Sequence, residues 1–225
     1  MTRSNRRWSI TLLCLAWCCG WPALQAKEPV RPAKDILAAA KVIPDGGTYV
    51  WDGGSGVPHE IRHDGETIVK AQEKGTYCSG FTFCVAMEAA QERGLLKGKS
   101  ADAVRQFQKQ WYGSTKEAAE RQCALAVEQL GIGREVKSLA DAQPGDFMQI
   151  WRTNKSGHSV LFLDWVREGD QIVGIKYRSS QKSTDGVGDR VEYFADVPGH
   201  DGKVDRRRTY VARLDAVLDP RPVAE

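Results

Sequence analysis

Tyr77-Cys78-Ser79-Gly80-Phe81 opens a segment in which Phe81, Cys84, Val85 and Ala89 fall at offsets of 0, 3, 4 and 8. That is helical spacing, and it puts Cys84 on the buried face with Phe81 and Val85. Cys78 precedes that face as a cap or first-turn residue. A thiol there meets unpaired backbone N–H groups and the positive end of the helix dipole, both of which favour the thiolate. Eighty residues downstream, Gly157-His158-Ser159-Val160-Leu161-Phe162 sets a histidine at the opening of an apolar strand. An imidazole at a sheet edge can supply the base that keeps the thiolate formed. The pair points to a cysteine hydrolase.

Working outward, a second helix is predicted over Ala101–Tyr112, with Val104, Phe107 and Trp111 on one side. A third opens on the capping-box pattern Ser114-Thr115-Lys116-Glu117 and closes before Gly131, its stripe being Ala119, Cys123, Val127 and Leu130. After Gly145 the pattern changes. Phe147–Trp151, Ser159–Trp165, Ile172–Tyr177, Arg190–Phe194 and Thr209–Leu214 are short, β-branched or aromatic, and separated by turn residues. Upstream, Asp35–Lys41 offers a short helix, and Gly46–Gly65 reads as an irregular loop around an extended piece, Thr48–Trp51. Helices first and a meander of strands second imply one α+β domain, its helical first half packed on an antiparallel sheet.

The N-terminus reads as an export signal, residues 1–26. Arg3, Arg6 and Arg7 form a positive region, Trp8 to Trp21 is largely apolar, and Ala23-Leu24-Gln25-Ala26 offers a cleavage point. The apolar run is short and quickly followed by Pro22, Lys27 and Glu28, so it does not read as a membrane span. Lipid anchoring at Cys18 is disfavoured by bulky Trp17 before it. Residues 27–45 then form a lead-in and 46–225 the domain, exported to a periplasmic or extracellular location. Removing the signal takes three arginines and no acid with it, so the net charge of +3 falls to near zero. No basic field remains for nucleic acid, and Arg206-Arg207-Arg208 reads as a solvated edge before a strand. Cys14, Cys18 and Cys19 also leave, so Cys78, Cys84 and Cys123 remain. An odd number in an exported protein leaves at least one thiol free or paired with another molecule. Cys84 and Cys123 read as core residues, or as a disulfide if their helices touch. On either reading Cys78 is the thiol left exposed.

A helix-start cysteine, a sheet-edge histidine and a polar residue on the next strand follow the logic of papain-like enzymes. The thiolate attacks a carbonyl, the imidazolium protonates the leaving amine, and the third group fixes the ring's tautomer. Small Ser79 and Gly80 let a substrate carbonyl approach the helix start, and the Cys78 backbone N–H is the natural oxyanion donor. The motifs resemble one family in particular. Tyr77-Cys78-Ser79-Gly80-Phe81 is similar to the Asp-Cys-Ser-Gly-aliphatic motif of the NlpC-type peptidoglycan endopeptidases, a branch of the papain-like clan. Thr48-Tyr49-Val50-Trp51-Asp52-Gly53-Gly54 resembles that family's Tyr-x-Trp-Gly-Gly stretch, and Gln143-Pro144-Gly145-Asp146-Phe147 its Gln-Pro-Gly-Asp-aliphatic turn. Gly157-His158-Ser159-Val160 stands where Gly-His-Val-Gly is usual.

The resemblance implies an NlpC-like fold and hydrolysis of an amide bond in peptidoglycan or another peptide, with no metal or cofactor. Cys78 is then the nucleophile and His158 the base. The orienting group belongs on the strand after the histidine strand, where Lys176-Tyr177-Arg178-Ser179-Ser180-Gln181 offers Gln181, with Ser180 in reserve. Tyr49 resembles a family tyrosine near the nucleophile, which makes Tyr49, Ser79, Gly80 and Ser180 the substrate-side residues. The departures are Tyr77 in place of the usual Asp, Asp52 where Gly is expected, and a longer Gly54–Cys78 segment.

Two other readings compete. One is an NlpC-like binding module without activity. The other is a zinc hydrolase built on His59-Glu60-Ile61-Arg62-His63, a His-Glu-x-x-His pattern that needs a helix to bring both histidines to one face. Gly53, Gly54, Gly56 and Pro58 upstream and Gly65 downstream leave room for at most a turn or two. Glu73 and Glu88 stand at conceivable distances for a third ligand. His200, in a turn-rich loop, reads as exposed.

Overall fold

The computed structural model describes residues 34–216. The signal segment predicted over 1–26 lies outside the described residues. Among the described residues the helices are α1 (Lys34–Val42), α2 (Cys78–Glu92), α3 (Ala101–Trp111) and α4 (Cys123–Leu130). The strands are β1 (Gly46–Gly47), β2 (Ile61–His63), β3 (Glu66–Val69), β4 (Gly133–Val136), β5 (Phe147–Arg152), β6 (Gly157–Glu168), β7 (Gln171–Gln181), β8 (Gly186–Tyr193) and β9 (Val204–Leu214). Seven strands form one antiparallel sheet in the order β1-β8-β7-β6-β5-β9-β4, and β2 pairs with β3 as a separate hairpin. The α+β class is as the sequence implied. No helix among the described residues is long and apolar enough to cross a membrane.

The sheet is buried on both sides, which its alternation records. Phe147 of β5, Leu161 of β6 and Ala212 of β9 join the helix-side core with Phe81, Phe83, Met87, Phe107 and Trp111. Their chain neighbours Met148, Phe162 and Val211 join a second core with Ile150, Val160, Val173, Ile175, Tyr177 and Phe194. Successive side chains point to opposite faces, so a strand buried on both sides reads as a continuous apolar run. The centre of α2 is fully inside, and tilted and edge-on aromatic contacts carry its packing onward. Phe83 meets Phe107 and Trp111, and Trp111 meets Phe147 with ring centroids 5.1 Å apart. The Trp111 indole donates to Thr82 Oγ1, and Thr82 donates to the Cys78 carbonyl, so the first turn of α2 is pinned to α3.

Several expectations need correction. The segment after Ser114 does not begin the third helix. Thr115 Oγ1 does accept from the Ala118 N–H, but turns follow, and Gln122 at φ 39° and ψ −107° interrupts any helix before Cys123. Part of the stretch read as a loop forms the β2–β3 hairpin, and β4 joins the sheet edge although Gly133–Val136 is too short to show a period. The lead-in from Lys34 onward belongs to the folded body. Arg93 grips Asp35 through both carboxylate oxygens, and Arg178 on β7 donates to the carbonyls of Ala40 and Ile43 and to Asp45. The three cysteines among the described residues, Cys78, Cys84 and Cys123, are free, so Cys84 and Cys123 are not joined. Arg206 and Arg208 pair with Asp196 and Glu120 and lie within β9 rather than before the strand. His200 stacks on Tyr193 and pairs with Glu168.

Candidate active site

Cys78 is the first residue of α2, with Tyr77 as an extended N-cap that provides no side-chain cap. The first-turn N–H groups of a helix have no intrahelical partner, so an uncapped start leaves them for a sulfur or an oxyanion. Tyr77 acts instead on the preceding chain. Its hydroxyl donates to the Gly54 carbonyl at 2.8 Å, and its ring meets Tyr112 edge-on. It also lies over Gly56, which sits at φ +67° and where a Cβ would come 2.4 Å from the ring. Gly80 completes this clamp, since a Cβ there would fall 2.1 Å from the Gly56 carbonyl carbon. The space beside Gly80 is thus filled by backbone rather than left for a substrate.

His158 opens β6 and is almost fully buried, with its ring edge-on to Tyr177 at 5.6 Å. β6 and β7 pair through Leu161 and Arg178, and continuing that register sets His158 opposite Gln181 and Ser159 opposite Ser180. The register separates the two candidates for the third residue. His158 Nε2 lies 3.3 Å from Gln181 Oε1, while the Gln181 amide nitrogen donates to Thr184 Oγ1 and the Gly188 carbonyl. With its NH2 committed, Gln181 can only accept from the ring. Nε2 therefore carries the proton and Nδ1 is left for the thiol. The Ser180 hydroxyl is taken by Thr76, which donates to it at 2.8 Å and ties the chain before the nucleophile to β7.

Cys78 is half-buried. Burial pushes its thiol up, but the charge and hydrogen bond of His158, the Ser159 backbone N–H and the Ser79 hydroxyl outweigh it. The thiol falls from 9.0 to about 7. Cys84 and Cys123 go the other way. Burial and the Glu88 carboxylate raise Cys84, and burial pushes Cys123 up to about 12 although it too begins a helix. A helix start therefore does not by itself lower a thiol; the neighbouring imidazole sets Cys78 apart.

Of the substrate-side residues, Tyr49 is half-buried and held by a bridge to Thr76. Burial and the Cys78 charge raise its phenol. The Ser79 hydroxyl lies 3.4 Å from Ser159 Oγ, and Ser159 donates in turn to Gln149 Oε1 at 2.8 Å. Ser79 thus ties α2 to β5 and β6.

Further residues support the histidine without a signature in the sequence. Glu192 on β8 accepts from the Tyr177 hydroxyl and from two Arg152 nitrogens, at 2.5 to 2.7 Å. This network fixes the ring on which His158 rests. The Gln143-Pro144-Gly145-Asp146 turn is anchored by Asp146, which accepts from the Gln143 N–H and from Arg213, and its hydrogen bonds with Phe162 align β5 with β6.

The zinc-peptidase pattern is not realised as a helix. His63 lies on β2 with Nε2 on the Lys99 carbonyl at 2.7 Å, and Glu60 pairs with Arg62. Residues four apart in extended chain are about 13 Å apart and do not share a helical face. Comparison of the chain with protein-family models, curated proteins and solved structures returns no match.

Proposed function

We propose that the protein is an exported cysteine hydrolase that cleaves an amide bond in cell-wall (peptidoglycan) peptides, through Cys78, His158 and Gln181. The observation that carries the reading is the assembly, from three separate elements, of a thiol lowered to about 7, a buried imidazole and an amide whose only free role is to accept from that imidazole. The thiolate attacks the scissile carbonyl, and the developing oxyanion takes the Cys78 N–H at the uncapped helix start. The imidazolium gives its proton to the leaving amine, leaving a thioester on Cys78. The same imidazole then removes a proton from water, whose hydroxide attacks the thioester and releases the acid. Gln181 orients the ring throughout and never changes protonation. The NlpC-like motifs supply the substrate class; the catalytic trio would serve any accessible amide.

The test is digestion of purified peptidoglycan in reductant, divided between a thiol alkylator and a metal chelator. New fragments that vanish with the alkylator and survive the chelator support the proposal, and their masses name the bond. Fragments lost only to the chelator refute the thiol mechanism. An inert but folded protein, with an intact His158 and Cys78, favours the binding-module reading.

A further inference from the structure

His59, the first residue of the His-Glu-x-x-His pattern, does meet two metal-type donors, but both come from α2. Cys84 and Glu88 stand four residues apart on one face of that helix. His59 Nε2 lies 2.9 Å from Glu88 Oε1 and 3.3 Å from Cys84 Sγ, and Cys84 Sγ lies 3.7 Å from Glu88 Oε1. A nitrogen, a sulfur and a carboxylate oxygen thus converge within 4.8 Å of one another.

Two geometrical facts separate a cation site from a second catalytic relay. A relay needs the two ring nitrogens to face different partners, as His158 does. Here Nε2 is the nearer nitrogen to the thiol, at 3.3 Å against 3.9 Å for Nδ1, and it is also the one on the carboxylate, yet one nitrogen has a single proton or lone pair to offer. A shared cation satisfies all three donors at once. A tetrahedral zinc ion, with bonds of about 2.3 Å to sulfur and 2.0–2.2 Å to nitrogen and oxygen, has donor–donor edges of about 3.3–3.6 Å. The observed triangle of 2.9, 3.3 and 3.7 Å needs shifts of only a few tenths of an ångström to match. Cys84 is buried, whereas the His59 and Glu88 side chains are 51% and 33% exposed, so the ion has a path in and a fourth position facing water.

We propose that His59, Cys84 and Glu88 form a binding site for a borderline-soft divalent cation of the zinc type, separate from the catalytic thiol. Cys84 is six residues beyond Cys78, about 9 Å further along the helix axis. Binding replaces the Cys84 S–H proton by the metal and releases that proton to solvent. The ion ties the chain before β2 to α2, next to the Gly54–Gly56 stretch clamped on the helix start. The site stands whether or not the protein is a hydrolase.

Cobalt(II) and zinc(II) titrations of the Cys78→Ala protein test it, because that background removes the competing thiol. The expected result is a thiolate-to-cobalt absorption that saturates at one equivalent and is displaced by one equivalent of zinc. At a hundredfold excess of free zinc over the dissociation constant, the melting temperature should rise by about 5–10 °C. Adding Cys84→Ser should abolish the absorption. Since Cys84 is a core position, His59→Ala and Glu88→Gln, both at exposed or half-exposed side chains, provide the independent check. Each should weaken affinity by at least about tenfold. An absorption seen in the native protein but absent from Cys78→Ala would place the metal at the catalytic thiol and overturn the proposal. So would binding unchanged by His59→Ala, or no saturable binding.

Discussion

Replacing His158 by alanine should move the titration of Cys78 in a defined way. The native thiol titrates near 7 rather than 9.0, because His158 and nearby donors overcome a burial cost. At pH 7 about half of it is thiolate, against about 1% for a thiol at 9.0. Without the imidazole, burial remains, and the midpoint should rise to 9 or above. The thiolate population at pH 7 then falls about fifty-fold, but each thiolate of higher pKa is about 6–10-fold more nucleophilic, so alkylation slows only about 5–8-fold. Above pH 10 the variant should alkylate faster than the native protein. The assay is the rate of iodoacetamide modification from pH 5 to 11, followed by intact mass and mapped by peptide. Cys123, buried and pushed up to about 12, serves as the unreactive internal control. A native midpoint near 9, or one that His158→Ala leaves in place, would refute the assignment of that imidazole to this thiol.

Gln181→Ala should lower kcat about 10²-fold with little change in KM, because ring orientation matters mainly in the transition state; steady-state kinetics on a released peptide fragment read it. Gly80→Ala should destabilise the fold by about 1–3 kcal/mol through its clash with the Gly56 backbone, despite the roughly 1 kcal/mol that alanine gains over glycine within a helix. Denaturant unfolding gives the sign, and stabilisation would contradict the packing account. Burial pushes the Glu192 carboxyl up, but Arg152 and Tyr177 prevail and lower it from 4.5 to about 2. Its contribution to stability is therefore full above pH 4.5 and lost as the pH falls toward 2. Glu192→Gln should be less stable at pH 7 and show a flatter loss across that acid range in unfolding experiments at stepped pH.

What the sequence made legible follows from its periodicities. The α3 face with Val104, Phe107 and Trp111 and the five long strands were readable because burial imposes a period or a continuous apolar run, whereas α2 is buried on all sides through its centre rather than on the one face its spacing suggested. Cys78 was separable from Cys84 because it stands at the helix start, ahead of the apolar stretch. Periodicity does not reveal what depends on backbone dihedrals and short pairings. Gln122 breaks a helix through a conformation that its identity does not announce, and β4 gains its place from β9. The Cys78–His158 pair was visible as residue types and order, with Gln181 preferred and Ser180 in reserve, and the register of β6 on β7 sets Gln181 opposite His158. Glu192, Arg152 and Tyr177 meet only after β5, β7 and β8 are assembled. Gly80 was read as room for a substrate and is room for Gly56.

The central claim is that an amide is cleaved through a covalent bond to Cys78. Incubating the protein with peptidoglycan fragments, quenching in acid and weighing the intact protein tests it directly. The account predicts an acyl adduct that maps to Cys78, is released by hydroxylamine as a thioester should be, and disappears in Cys78→Ala together with turnover. Turnover that persists in Cys78→Ala, or an adduct that maps to Cys84 or Cys123, would contradict it.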